Sequence, residues 1–376
     1  MFKKSNIKRD AFMLKGAFAK KGFDRWWHSF TAINEKTGEE RAFFIEFFAC
    51  NPKLGKKGLV LGQLEENQVN EEKPSYLMVN AGAFGKGGCQ LHRFYPWENV
   101  KVNAKSPFYI KAMPCYFSET ETRGNIEVSI KDANAHPEWM GDAGSMQWNI
   151  KIKKEISFNP GKDFEKESRS CMLWHAEGMR ATYSGAIVFN GVRYRVVPEK
   201  SFGFADKNWG NCFPDPWIRL SSCCLKSNIT GKEMKKSAFA LATGGRISNK
   251  NGALCSLSSA LIYEGKNYEF INSKYQEDLG VEVFGQETEN EIIWHTKQEN
   301  STHMLEIEAR CPKKDMLHLN YENPLGERSY TRLWNGGNGT AIVRIFRKKN
   351  DGRIEMTDSL AATYVQCQYG EGQGFF

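Results

Sequence analysis

The chain has 376 residues, 40% of them hydrophobic and 13% aromatic, with a formal net charge of +8. That length fits two domains better than one, and the apolar share is enough for substantial buried cores. The 52 Lys and Arg are scattered among 44 Asp and Glu rather than gathered in a basic stripe with interleaved aromatics, which argues against a nucleic-acid-binding protein and leaves at most peripheral contact with an anionic membrane.

In chain order, the N-terminus "MFKKSNIKRDAFMLKG" is basic but lacks the apolar core of a signal peptide. The run "AFFIEFFAC", residues 42–50, is too short to span a bilayer and contains Glu46; within "ERAFFIEFFAC" it reads as a nearly fully buried strand. The glycine-rich "GAFGKGG", residues 82–88, is followed by no helical pattern and reads as a hairpin loop rather than a phosphate cradle. "HPEW", residues 136–139, reads as a surface loop. "AIVFNGVRYRVV" is a hairpin, with alternating Ile187 and Phe189, a turn at Asn190-Gly191, and alternating Val192, Tyr194 and Val196. "ALIYEGKNYEF" repeats the design around Glu264-Gly265, "HMLEIEAR" reads as a strand, and "VRIFRKKNDGRIEMT" turns at Asp351-Gly352. No long segment of period 3.6 with caps is present, so the chain is expected to be all-β.

The ten cysteines include no C-x-x-C pair, and Cys223-Cys224 would face opposite sides of a strand, so they read as reduced, buried thiols of a soluble cytoplasmic protein. The seven histidines show no paired spacing with matching Cys or carboxylates, and no metal site or cofactor is expected. "GFDRWWHSF" and "GFADKNWGNCF" echo each other, each ahead of a turn and an apolar strand, as the opening hairpin of a domain would be. The division that follows is an N-terminal domain over residues 1–197 and a C-terminal domain over 198–376, each with enough antiparallel strands to curl into a barrel able to hold an apolar ligand.

The chemistry concentrates in "SFGFADKNWGNCFPDPWIRL", residues 201–220. A carboxylic acid set among Trp and Phe loses hydration, which raises its pKa and lets it remain protonated near neutrality. Asp206 is then a proton donor or base, and nearby indole faces stabilise positive charge developing on carbon. Lys207 could instead pair with Asp206 and hold it ionised, and Asp206, Lys207 and Asn208 could simply tie a loop together between strands.

The string "FADKNWGNCFPDPWIRLSSC" resembles the S-E-K-N-W-G hallmark of the tocopherol cyclase family, with Asp206 in the place of Glu and with Lys207, Asn208, Trp209, Gly210, Phe213, Pro214 and Trp217 matching. Upstream, "GFDRWWHSF" resembles the family's F-E-G-W-Y-F segment, with Asp24 again replacing Glu; downstream, "LIYEGKNYEF", "THMLEIEAR" and "MTDSLAA" fall in the family's order. The resemblance implies two lipocalin-like antiparallel β-barrel domains in tandem. It also implies cofactor-independent ring closure, in which a prenyl double bond is protonated and a phenol oxygen captures the cation. Both acids are shorter by one methylene, and "AATYVQCQYGEG" puts Tyr364 where the family has Glu, unless a gap moves Glu371 there.

The expected function is therefore a tocopherol-cyclase-like isomerase of the intramolecular-lyase type, acting by proton transfer on an apolar phenolic or prenyl-like molecule. It would form or open an oxygen heterocycle, or shift a double bond. The expected catalytic residues are Asp206, Lys207, Asp24 and Tyr364, and Trp27, Asn208, Trp209 and Trp217 are expected to line the pocket. The competing readings are a lipocalin-like carrier of a hydrophobic ligand and a purely structural protein whose aromatics are core.

Overall fold

The computed structural model describes residues 10–54, 58–139, 141–160, 172–249, 252–272, 282–319, 321–327 and 330–372. Strands dominate them, and helices such as Glu65–Val69 and Ile130–Ala135 are one or two turns long. Among the described residues no helix is long and apolar enough to cross a membrane.

The first sheet contains β1 (Phe23–Asn34), β2 (Glu40–Cys50), β3 (Tyr76–Ala83), β4 (Cys89–Tyr95), β5 (Lys101–Asn103), β6 (Tyr109–Ala112), β7 (Cys115–Ser118), β8 (Glu121–Val128), β9 (Gly144–Phe158), β10 (Met172–Phe189), β11 (Val192–Val196) and β12 (Gly203–Gly210). The second contains β13 (Trp217–Ser222), β14 (Cys224–Ser227), β15 (Ala238–Asn249), β16 (Gly252–Tyr263), β17 (Lys266–Asn272), β18 (Glu282–Glu287), β19 (Glu291–Glu299), β20 (His303–Pro312), β21 (Met316–Leu319), β22 (Tyr330–Lys348) and β23 (Ile354–Gly372).

In the first sheet the order is β4-β3-β2-β1-β11-β10-β9-β8-β7-β6-β5, and β12 pairs with both β1 and β10. Pairings β1–β11, β11–β10, β10–β12 and β12–β1 thus close a ring of four strands, because β12 takes the first half of β1 and β11 its end. The sheet curls until β4 meets β8 and β9, and side chains from β1 to β11 share one core. A mostly-strand chain with one closed ring fits a lipocalin-like fold. In the second sheet the described pairings run from β17 to β18 without closing.

The turn residues act as their chemistry requires. Asn190 and Gly191 take φ of 48° and 77° between the paired Phe189 and Val192; Glu264 and Gly265 take 44° and 84° between Tyr263 and Lys266. The Asp351-Gly352 turn is wider than two residues: Lys348 pairs with Ile354, and the amide of Lys349 donates to the carbonyl of Arg353. β12, expected to open the second unit, lies beyond the 197/198 boundary but pairs only with strands of the first sheet. The second sheet begins at β13, after a loop of six residues, 211–216, that includes Phe213 and Pro214.

Three cores result. One fills the curl of the first sheet, one lies against the inner face of the second, and one lies between the two sheets. The first is packed rather than hollow: Trp26 stacks on Phe108 (ring centroids 5.3 Å apart), Phe47 on Phe117 (5.4 Å) and Phe30 on Tyr183 (4.7 Å). β1 and β12 are walls common to the first core and the junction core, which is why every residue from Phe23 to Thr31 and from Gly203 to Gly210 is buried.

Candidate functional site

Successive side chains on a strand face opposite ways, so a strand buried on both sides delivers alternate residues to two different environments. On β1, Arg25 and Trp27 face the junction, whereas Asp24, Trp26 and His28 face the first core. On β12, Phe204, Asp206 and Asn208 face the junction, and Lys207 faces the first core. The register aligns them in rows: Trp27 lies opposite both Glu46 and Asp206, and Arg25 lies opposite Asn208.

The junction holds a polar network among aromatic rings. Arg25 donates from Nε to Glu46 and from Nη1 to Asn208 Oδ1 (2.9 Å), and lies 3.7 Å from Asp206 Oδ1. Tyr321, from the segment between β21 and β22, donates to Glu46 (2.7 Å), and Asn80 donates to its other oxygen (3.2 Å). Asp206 Oδ2 accepts from Trp174 Nε1 (3.1 Å) and from Arg219, which also reaches Asn208 Oδ1 (3.1 Å). Trp217 donates to Gln368, which donates in turn to Asn335. The Arg25 guanidinium lies 4.8 Å from the Trp27 ring, 5.7 Å from Trp217 and 5.5 Å from Tyr321.

Arg25, Glu46, Asp206 and Asn208 are fully shielded from solvent. Burial pushes the Asp206 carboxyl above its usual range, against the opposing pull of Arg219 and Arg25. Burial, with Arg25's like charge, brings Arg219 down to about 10. Tyr321 is pushed well up by burial, with Glu46 adding to the rise.

The opposite face carries a second charged set. Lys207 bonds Asp24, whose other oxygen accepts from the Met13 amide (2.7 Å), and its ammonium lies 4.2 Å from the Trp26 ring and 5.1 Å from Trp209. Burial lifts Asp24 to about 6 despite Lys207, and burial lowers Lys207. Beside them Lys154 bridges Glu177 (2.8 Å) and Asp10 (3.2 Å), His175 lies 2.9 Å from Asp10, and His28 lies 3.0 Å from the Tyr183 hydroxyl.

The expected residues therefore separate. Asp206, Asn208, Trp27 and Trp217 come together at the junction; Asp24, Lys207 and Trp209 lie behind them on the other face. Lys207 pairs with Asp24 and not with Asp206, because adjacent strand residues cannot share a face. Tyr364 is in neither set: it is half-buried, donates to Glu40 and stacks on Phe202 (5.2 Å). Glu371 is exposed and accepts from Tyr369. Arg25, Glu46, Trp174, Arg219 and Tyr321 were not anticipated, although the i, i+2 spacing of Arg25/Trp27, Asp206/Asn208 and Trp217/Arg219 was a readable signal. Among the described residues no group of three or more His, Cys, Asp or Glu is placed to hold a metal ion.

Residues 164–359, just over half the chain, match the family model described as tocopherol cyclase-like. The chain belongs to the tocopherol cyclase-like family. The matched span of this tocopherol cyclase-like protein includes Asp206, Asn208, Trp217, Arg219 and Tyr321, but begins after β1 and ends before Tyr364. Among solved structures, a provisionally assigned AttH from Nitrosomonas europaea is 13% identical, with 91% of this chain and 93% of that one covered at a TM-score of 0.44. Kievitone hydratase from Nectria haematococca is 8% identical, with 90% and 88% covered, also at 0.44.

Proposed function

We propose that the junction between the sheets is the working site of a cofactor-independent isomerase or cyclase of the intramolecular-lyase type, with Asp206 moving a proton on an apolar small molecule. One observation carries the reading. Asp206 is sealed from solvent, its Oδ2 is held by Trp174 and Arg219, and its Oδ1 has no hydrogen-bond partner. A purely structural carboxylate in an apolar layer would be expected to have both oxygens satisfied.

The surroundings suit this chemistry. Fixed donors around Oδ2 hold the carboxyl group in place, and desolvation raises its proton affinity above that of an ordinary carboxylate, the direction a general acid needs. Trp27, Trp217 and Tyr321 present ring faces to a cation forming on carbon. A carrier would hold its ligand inside the first barrel, where aromatic side chains already fill the space. Entry to the junction is supported by the segment that carries Tyr321, since residues 325–327 of it line a surface cleft of about 760 Å³. In this reading Asp24, Lys207 and Trp209 brace β12 from behind, Tyr364 is a rim residue, and the second sheet is the counterpart of a tandem lipocalin-like pair whose units meet between Gly210 and Trp217.

The test is conversion of phenolic and prenylated compounds in heavy water, followed by mass spectrometry. The expected result is a product of unchanged composition apart from deuterium on carbon, formed at least about 100-fold more slowly by Asp206→Asn. Full activity in that variant would refute the assignment.

A further inference from the structure

Ahead of β1, the segment from Asp10 to Leu14 packs on the first core, with Asp10, Phe12 and Leu14 buried. Among the described residues no strand pairs with it. Side chains hold it instead. Phe12 stacks on Trp26 (6.2 Å) and meets Trp97 edge-on (6.3 Å), and Trp26 Nε1 donates to the Asp10 carbonyl (2.7 Å). The Met13 amide donates to Asp24, and the Asp10 carboxylate meets Lys154 and His175. A segment anchored in this way can lift off without unzipping a sheet.

The barrel wall beneath it is balanced without it: Lys154 on β9 meets Glu177 on β10, and Lys207 on β12 meets Asp24 on β1. Asp10 brings a third carboxylate to two ammoniums in a space nearly closed to solvent, and one added proton would neutralise the set. The hydrogen bonds mark its place. Tyr183 gives its only hydroxyl proton to the Phe204 carbonyl (3.1 Å), so His28 Nδ1, 3.0 Å from that hydroxyl, is the donor of the pair. A neutral His28 then presents Nε2 as a bare acceptor. It lies 3.6 Å from Glu177 Oε1, and neither atom has a hydrogen-bond partner. Were Glu177 ionised, two sealed acceptors would face each other, whereas one proton between them serves both. His175 needs only the single N–H of a neutral imidazole to reach Asp10. Burial, with Lys154 adding to it, pushes His28 well down, and burial and then Asp10 lift Glu177 to about 8 against the pull of Lys154. The proton therefore rides on Glu177.

We propose that residues 10–14 form a strap whose docking on the first barrel takes up one proton, held on Glu177 Oε1 towards His28 Nε2. With the strap lifted, Glu177 keeps Lys154, loses the like charge of Asp10 and regains water, which returns it towards its ordinary 4.5. The docked value of about 8 lies above that, so docking is fully supported below 4.5 and weakens as pH rises to 8, by at most about tenfold per pH unit. Lifting the strap also withdraws the Met13 amide from Asp24, whose partner Lys207 backs the strand that carries Asp206.

The experiment is hydrogen–deuterium exchange of the full chain with peptide mass spectrometry, corrected for the pH dependence of free amides. It compares the peptide holding the Met13 amide with one from β1, between about pH 6.5 and about pH 8, where Asp24, lifted by burial to about 6, is mostly ionised. The expected result is that protection of the Met13 peptide falls at least about 10-fold across this range while that of β1 holds. Glu177→Gln, which cannot ionise, should make the profile flat. Asp10→Asn, which removes the third carboxylate, should make the fall level off at a lower pH. A flat profile in the unaltered protein, or a Met13 peptide that loses protection in step with β1, would overturn the proposal. So would an unchanged fall in Glu177→Gln or, should that variant not fold, an unchanged fall in Asp10→Asn.

Discussion

The Asp24–Lys207 pair gives the clearest quantitative test of which buried charges are structural. In Lys207→Met, Asp24 loses its counter-charge and keeps the backbone amides of Met13 and Arg25. A stranded acid can always escape by taking up a proton. In the folded protein Asp24 already sits at about 6, so protonating it at pH 7 spans roughly one pH unit, worth about 1.4 kcal/mol, and the loss is capped near about 1–2 kcal/mol. In Asp24→Asn, Lys207 would have to shed a proton from its usual 10.5, which caps that loss at about 5 kcal/mol, lowered by about 1–2 kcal/mol through the indoles of Trp26 and Trp209. The double variant strands nothing, and the asparagine can still accept from Met13, so its loss is expected at about 1–2 kcal/mol. The coupling is then several kcal/mol, measured by urea unfolding followed through tryptophan fluorescence. Lowering the pH to 5 should recover about 1–2 kcal/mol of the Lys207→Met deficit, because the stranded acid is already protonated at pH 7 whereas the paired one takes up its proton only near about 6. Additive losses, or a deficit independent of pH, would refute the argument that these charges exist for each other.

Further expectations follow from the same side chains. Burial and the neighbouring Asp10 hold Glu177 at about 8 against the pull of Lys154, above its ordinary 4.5, so the folded state keeps a proton that the unfolded chain has lost and stability declines as pH rises through that window. Asp10, raised by burial but pulled down further by Lys154 and His175, sits at about 2 instead of 3.8, so its contribution is lost as pH falls from 3.8 to 2. In thermal melts Glu177→Gln should therefore flatten the decline between pH 4.5 and 8 relative to the unaltered protein. Gly203→Ala would put a Cβ 2.1 Å from the Tyr183 ring, which Phe30 holds by stacking; a loss of about 1–3 kcal/mol or more is expected in denaturant unfolding. Tyr364→Phe removes one hydrogen bond to Glu40 at a half-buried rim, and should change stability by about 1 kcal/mol or less while leaving turnover in the heavy-water assay unchanged.

Local signals carried the fold class. A turn such as Asn190-Gly191 needs two positive φ values and little else, so it can be read without knowing what the strands face. The run of β2 from Ala42 to Cys50, apolar except for Glu46, has both faces covered and declares that burial by its composition. Long-range pairing leaves no such trace. β12 follows β11 after a short break, and only the closing of a ring with β1, some 180 residues earlier, assigns it to the first sheet. The same applies to β22, whose register shifts at Gly336 and Gly339 depend on contacts with Cys311 and Cys367 from the two flanking strands.

At the site, the three adjacent letters Asp-Lys-Asn suggested one cluster, and strand geometry turns them into two. Since β12 is buried on both faces, each face must settle its own charge: Asp206 with the guanidiniums of Arg219 and Arg25, Lys207 with Asp24. The two carboxylates then differ in a way the sequence does not express. Asp24 has one oxygen on an ammonium and the other on a backbone amide, so its hydrogen-bonding capacity is engaged within the protein. Asp206 has one oxygen doubly engaged and one unengaged, beside donors that are also unengaged. A fully compensated charge stabilises a unique arrangement and has nothing left to offer a ligand, whereas an incompletely paired one is an energetic liability that folding alone does not justify. That asymmetry between the two carboxylates is what the proposed function rests on when it gives the proton transfer to Asp206 and leaves the Asp24–Lys207 pair to brace β12.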